Sequence, residues 1–109
     1  MKVFIGVENN AGLDSTLDTR LGRAGYFLVY DTDEKKIHTI QENQYKNDGH
    51  GVGIKAATFI IENGCQAVIG AQPGPKAAAI LAQANIKIIV DDKGTVKEVL
   101  ERHKQDLTV

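Results

Sequence analysis

A chain of 109 residues, 42% of them hydrophobic, is long enough to bury one core and short enough to form a single domain over residues 1–109. Its net charge of -1 at pH 7 supplies no broad basic field for nucleic acid or an acidic membrane, and no apolar run approaches the roughly 20 residues of a membrane helix. The lone Cys65 and a start that runs straight into strand-like sequence give no intramolecular disulfide and no leader pattern, so a cytoplasmic protein with neither nucleic acid nor membrane as partner is expected.

Residues 2–7 are a nearly continuous apolar run rich in β-branched side chains, the pattern of a strand buried on both faces. Residues 8–25 carry Asn9, Asn10, Gly12, Asp14, Ser15, Thr16, Gly22 and Gly25; a connection of this length is more often functional than idle, and it is expected to be poorly ordered without a ligand. A second strand spans 26–31. A polar hairpin turn at 32–35 leads to a third, more exposed strand at 36–42, expected at an edge of the sheet. After a polar stretch to Gly51, apolar residues at 52, 56, 59 and 60 follow helical spacing through 63, and Gly64 stops that helix. A short buried strand at 67–70 precedes a helix over 75–84, with Pro75 at its first position and Asn85 at its end. Residues 86–90 read as the fifth strand. Thr95 then N-caps a last helix over 95–104, with Glu98 as its capping-box partner and Val96, Val99, Leu100 and Leu107 on one face. The tail beyond about Lys104 is expected to fray.

The order β-β-β-α-β-α-β-α is a hairpin added to a right-handed βαβαβ unit. It predicts a three-layer α/β/α domain around a mixed five-stranded sheet of order 3-2-1-4-5, with strand 2 alone antiparallel. The connections 8–25, 43–53 and 70–76 then leave the same edge, next to a topological switch point where open α/β sheets bind ligands.

Two of these connections are glycine-rich and open onto helices: Gly49-His50-Gly51-Val52-Gly53 and Gly70-Ala71-Gln72-Pro73-Gly74-Pro75-Lys76. Free amides and the positive dipole end of a helix N-terminus favour an anion, and glycine lets it approach the main chain. Gly51-Val52-Gly53-Ile54-Lys55-Ala56 formally fits a dinucleotide fingerprint, but it does not follow the first strand, and Ala71 and Gln72 stand where the acidic ribose partner belongs. The 70–76 loop has Pro75 before its lysine and Ala77 after it, so it lacks the spacing and the magnesium-binding hydroxyl of a nucleotide phosphate loop. Arg23 suits either a planar fork for an anionic ligand or a salt bridge that anchors its loop. His50 suits either a metal or anion contact or a solvated loop position. His38 reads as exposed, His103 as part of the last helix's apolar stripe, and Cys65 as a packing residue. A two-metal nuclease would have to draw on Glu8, Asp48, Asp91 and Asp92, with no carboxylate inside the first strand to centre the site.

Leu21-Gly22-Arg23-Ala24-Gly25-Tyr26-Phe27, Gly49-His50-Gly51-Val52-Gly53, Gly70-Ala71-Gln72-Pro73-Gly74-Pro75-Lys76-Ala77 and Ala84-Asn85-Ile86-Lys87-Ile88 together resemble the dinitrogenase iron–molybdenum cofactor biosynthesis family, the nitrogenase accessory factor-like domains. The resemblance runs over nearly the whole chain and keeps four motifs in order; Leu21 stands where the family usually has phenylalanine or a similar residue. It implies a ribonuclease H-like domain that is not an enzyme. Its role would be to bind or carry an anionic metal–sulfur cluster, the iron–molybdenum cofactor or a related molybdenum, iron or copper sulfide, between donor and acceptor proteins of cluster assembly. On that reading Arg23, Gly49, His50, Gly51, Gly53, Gly74 and Lys76 contact the cluster, with His50 as the one candidate metal ligand. The alternative is a regulatory or scaffold domain whose loop edge binds a protein partner or a small anionic metabolite.

Overall fold

The computed structural model describes residues 1–108. The apolar run at the start forms β1 (Lys2–Val7), buried from Val3 onward. It occupies the centre of the sheet, antiparallel to β2 (Tyr26–Asp31) and parallel to β4 (Ala67–Gly70). Strand β3 (Lys36–Glu42) pairs antiparallel with β2, and β5 (Lys87–Val90) pairs parallel with β4. The order is β3-β2-β1-β4-β5, as the sequence predicts. The alternating exposure of β3 fits its place at an edge.

Alternation along the strands divides the buried side chains between two faces. Phe4, Phe27, Val29 and Val68 pack against α1 (Val52–Glu62) and α2 (Pro75–Gln83) through Ala56, Ala57, Ile60, Ala77 and Leu81. The rings of Phe4, Phe27 and Phe59 meet there with centroids 4.9 to 5.9 Å apart, inside the range of favourable aromatic contact. Cys65 is buried in the same core, and burial pushes its thiol up to about 11. On the opposite face Val3, Ile5, Val7, Leu28, Ala67 and Ile69 pack against a single helix, α3 (Val96–Arg102). The molecule is therefore layered α/β/α with unequal outer layers.

Helix ends follow the sequence punctuation. Gly64 at φ 69° terminates α1, and Asn85 at φ 59° takes the left-handed position after α2. One expectation at the end of the chain is corrected. Instead of a helix over 95–104 with a loose tail, α3 stops at Arg102, His103 caps it, and Lys104–Leu107 forms a 3-10 turn. That turn carries Leu107, only 6% exposed, into the second core, and burial of a leucine is enough to hold down so short a segment.

Candidate functional site

Because β2 runs against its neighbours, Val7, Tyr26 and Glu42 lie side by side at one end of the sheet. The connections 8–25, 43–51, 71–74 and 91–95 all begin or end there. Contacts join the first three directly. A side chain at Gly22 would meet the Gly53 amide and the Val52 carbonyl carbon at 2.8 Å, so the 20–25 segment lies against the first turn of α1. One at Gly53 would touch Ala77 Cβ at 3.5 Å, which sets the start of α1 beside the start of α2.

Two buried polar residues hold this edge in shape, and neither was singled out by the sequence. Asp18, 2% exposed, accepts hydrogen bonds from the amides of Arg20 and Gly25 and from Arg20 Nε. Asn43, 1% exposed, donates through Nδ2 to the carbonyls of Gly22 and Ala24 and accepts from the Tyr45 amide. Leu17 adds a bridge to Val7, and Thr16 one to Thr95. The 8–25 connection is thus a pinned, packed segment and not the loosely held loop its composition suggests. The only sequence signal was the short Asp18-Thr19-Arg20 turn pattern, in which an aspartate accepts from an amide two residues on.

The three helices start at this edge in different ways. Thr95 accepts from the Glu98 amide while the Glu98 side chain accepts from the Thr95 amide, a complete capping box on α3. Gly51 and Gly74 cap α1 and α2 without any side-chain bond, and neither first turn holds an acidic residue. The first helical bonds run from Lys55 to Gly51 and from Ala78 to Gly74, so the amides of Val52, Gly53, Ile54, Lys76 and Ala77 have no intrahelical partner, Pro75 having no N–H to offer. Side chains added at Gly49, Gly51, Gly70 or Gly74 would meet nothing within 4 Å. At Gly51 the left-handed φ of 77° calls for glycine; at the other three no tight contact does. The edge is an open cradle of backbone donors at two adjoining helix N-termini, a place for an anion.

The residues expected to bind fall around this cradle. Gly49, His50, Gly51 and Gly53 form the entrance to α1, and Gly74 and Lys76 form the entrance to α2; His50, Gly74 and Lys76 are exposed. Lys76 forms no ion pair among the described residues. Arg23 ties the 20–25 segment to the 43–51 loop: its Nη1 donates to the Lys46 carbonyl at 3.0 Å and its Nη2 to the Gly49 carbonyl at 3.4 Å. It does anchor a loop, through carbonyls and not through the salt bridge considered from sequence, and a guanidinium with five N–H groups has donors to spare. Asp48 pairs with Lys55, whose ammonium lies 5.0 Å from the Tyr45 ring centroid, which fastens the 43–51 loop to α1.

The remaining candidates lie apart from the cradle or are engaged elsewhere. His103 is not on an apolar stripe: its Nε2 lies 2.7 Å from Asp91 Oδ2, and Arg102 Nε donates to the same carboxylate. Burial opposes ionisation of Asp91, but hydrogen bonds from Arg102, His103 and the Lys93 amide outweigh it and hold the carboxyl at about 2. Among the described residues no three His, Cys, Asp or Glu side chains gather as a metal-holding group. His50 therefore belongs to no such group of three, and the four carboxylates do not assemble into a two-metal centre.

Comparisons with known proteins identify the family. The family model described as dinitrogenase iron–molybdenum cofactor matches residues 1–106. The apo form of the orange protein from Desulfovibrio gigas superposes with a TM-score of 0.87 at 30% identity, covering 96% of this chain and 88% of that one. A NifB-like protein from Thermotoga, assigned to the DUF35 family, superposes with a TM-score of 0.80 at 29% identity, covering 95% and 87%. An uncharacterized protein of Methanocaldococcus jannaschii, MJ0580, is 28% identical over 103 residues, 93% of this chain and 83% of that protein. With the sheet order, the loop motifs and a family model spanning almost every residue in agreement, the chain belongs to the dinitrogenase iron–molybdenum cofactor family.

Proposed function

We propose that the loop edge receives an anionic metal–sulfur cluster as cargo and hands it on during metallocluster assembly, without catalysing a reaction. The observation that carries this reading is the pair of adjoining, uncapped helix N-termini fronted by glycines whose missing side chains leave open space. A metal sulfide brings its own inorganic ligands. It needs from the protein only donors and a bare surface, which is what this edge supplies in place of a cysteine or carboxylate set. Family membership supports the same class of cargo. In the cradle, the amides at the starts of α1 and α2 would face the sulfides, the free N–H groups of Arg23 and the ammonium of Lys76 would add charge, and His50 would approach as the one imidazole.

The non-enzymatic part of the proposal rests on the chemistry present. The one thiol is buried with its ionisation suppressed, so it is a poor nucleophile, and the carboxylates of the edge are separated or tied into ion pairs. No helix of the described residues is long and apolar enough to cross a membrane, and we place the protein with donor and acceptor proteins of cluster assembly in the cytoplasm.

Anaerobic titration of the purified protein with tetrathiomolybdate, alone and with copper or iron salts, tests this through visible absorption and metal analysis after gel filtration. Stoichiometric retention is expected. Arg23→Ala should weaken it roughly ten- to a hundredfold, the worth of a charge-assisted hydrogen bond, while Cys65→Ser should leave it intact. Loss of all retention in His50→Ala would assign the imidazole to the metal. Failure of the unaltered protein to retain any sulfide would overturn the carrier reading in favour of a regulatory or scaffold domain.

A further inference from the structure

The two faces of the sheet are unequally covered, and the gap has a shape. Helices α1 and α2 span one face, whereas the other is covered by α3 with only the short 3-10 turns Gly12–Asp14 and Lys104–Leu107 beside it. Tyr30, Ile37 and Ile40, on the α3 side of β2 and β3, are left only partly buried. Beside Tyr30 lies a groove of about 650 Å³, walled by Leu13, the β2–β3 turn, α3 and the 3-10 turn after it. Its volume falls within the range of roughly 300–1,000 Å³ typical of small-molecule sites. The metal-sulfide cradle lies on the other side of the sheet, where α1 and α2 begin, so the groove is a separate feature.

The lining is amphipathic and its charge is one-sided. Leu13, Tyr30, Leu100 and Leu107 contribute apolar surface. Around them stand Lys35, Lys97 and Lys104, all exposed and, among the described residues, without an ion-pair partner. Of the two acidic side chains that line it among the described residues, Asp33 is already engaged by the Met1 ammonium at 2.9 Å, which leaves Glu101, among those residues, against three ammonium groups. Lysines anchored beside apolar surface can lay their stems along it and keep their heads in water, so an occupant with an apolar body and one negative end would satisfy both parts of the wall.

We infer that this groove is a second binding site, for a small amphipathic anion such as a medium-chain or aromatic carboxylate. The apolar body lies between Tyr30 and Leu100, and the carboxylate meets the ammonium groups of Lys97 and Lys104. A neutral molecule of the same body gains only the apolar part, and a cationic one is repelled.

Amide NMR titrations of the intact protein with decanoate, decan-1-ol and decyltrimethylammonium test this. Decanoate should shift the amides of Tyr30, Leu100 and Leu107 saturably, decan-1-ol should bind the same residues more weakly, and decyltrimethylammonium should not bind. The double variant Lys97→Glu/Lys104→Glu, altered only at exposed positions, should bind decanoate about tenfold more weakly and acquire affinity for decyltrimethylammonium. An aromatic arm with 2-naphthoate separates the two carboxylate sources: tighter binding than decanoate marks a ring-shaped occupant. The inference is overturned if millimolar decanoate leaves these amides unmoved, if all three decyl ligands bind equally, or if the shifts map to residues 49–53 and 74–77 instead.

Discussion

Three helices start at the same end of this sheet, and they start differently. Helix α3 satisfies its own first-turn amides with Thr95 and Glu98, and Asp91 ties the loop before it to Arg102, His103 and the Lys93 amide. Helices α1 and α2 begin at glycines, with no capping side chain and no acidic residue in the first turn. The chain therefore closes one helix N-terminus with side chains and leaves two without, as the proposed anion site requires. Glycine at the N-cap of two neighbouring helices forgoes only about a few tenths of a kcal/mol relative to Ser, Thr, Asn or Asp, a small sacrifice that is explained if a ligand supplies the missing acceptor.

The contrast can be broken at several points. The largest effect is expected from Gly22→Ala, because its new methyl would lie 2.8 Å from the backbone of Val52 and Gly53 and drive the first turn of α1 off the 20–25 segment. Overpacking of this kind costs about 1–3 kcal/mol, readable as a lower urea midpoint, and sulfide uptake should fall with it. On the closed side, Asp91→Asn should cost about 2 kcal/mol at neutral pH. The sign follows from a folded-state value of about 2 against an ordinary 3.8: the stabilisation is complete above 3.8 and is lost as pH falls toward 2. Urea midpoints of the unaltered protein should thus decline across that window, and those of the variant should decline less. Thr95→Ala removes one cap bond of α3 and should cost about 1 kcal/mol without altering sulfide uptake, since the capped end takes no part in it.

Much of the fold was legible because glycine and proline sit where the apolar periods change. Gly64, Pro75 and Asn85 mark helix boundaries to within a residue or so, and the order 3-2-1-4-5 follows from a hairpin joined to parallel crossovers. What escaped the sequence depends on partners distant along the chain. The links from Asn43 to Gly22 and Ala24 span 21 and 19 residues, so no local pattern announces them, and the 8–25 segment read as loose for want of them. His103 falls at the helical spacing of an apolar stripe, yet α3 ends one residue earlier and frees its ring to meet Asp91. The candidate site was visible as glycine loops before helices. That α1 and α2 adjoin through Gly53 and Ala77, and that Arg23 spends two of its donors on carbonyls of the 43–51 loop, required the packed chain.

The most direct test closes an open end. Gly74 already has the extended backbone of an N-cap, φ −65° and ψ 167°, with no atom within 4 Å of an added side chain. Gly74→Asp can therefore cap α2 and set a carboxylate at its positive end, which should raise stability by about 0.5 kcal/mol. Anaerobic tetrathiomolybdate titration of this variant beside the unaltered protein decides whether the open ends exist for an anion. The account expects a variant that is equally or more stable and no longer retains the sulfide; retention at unchanged affinity would contradict it.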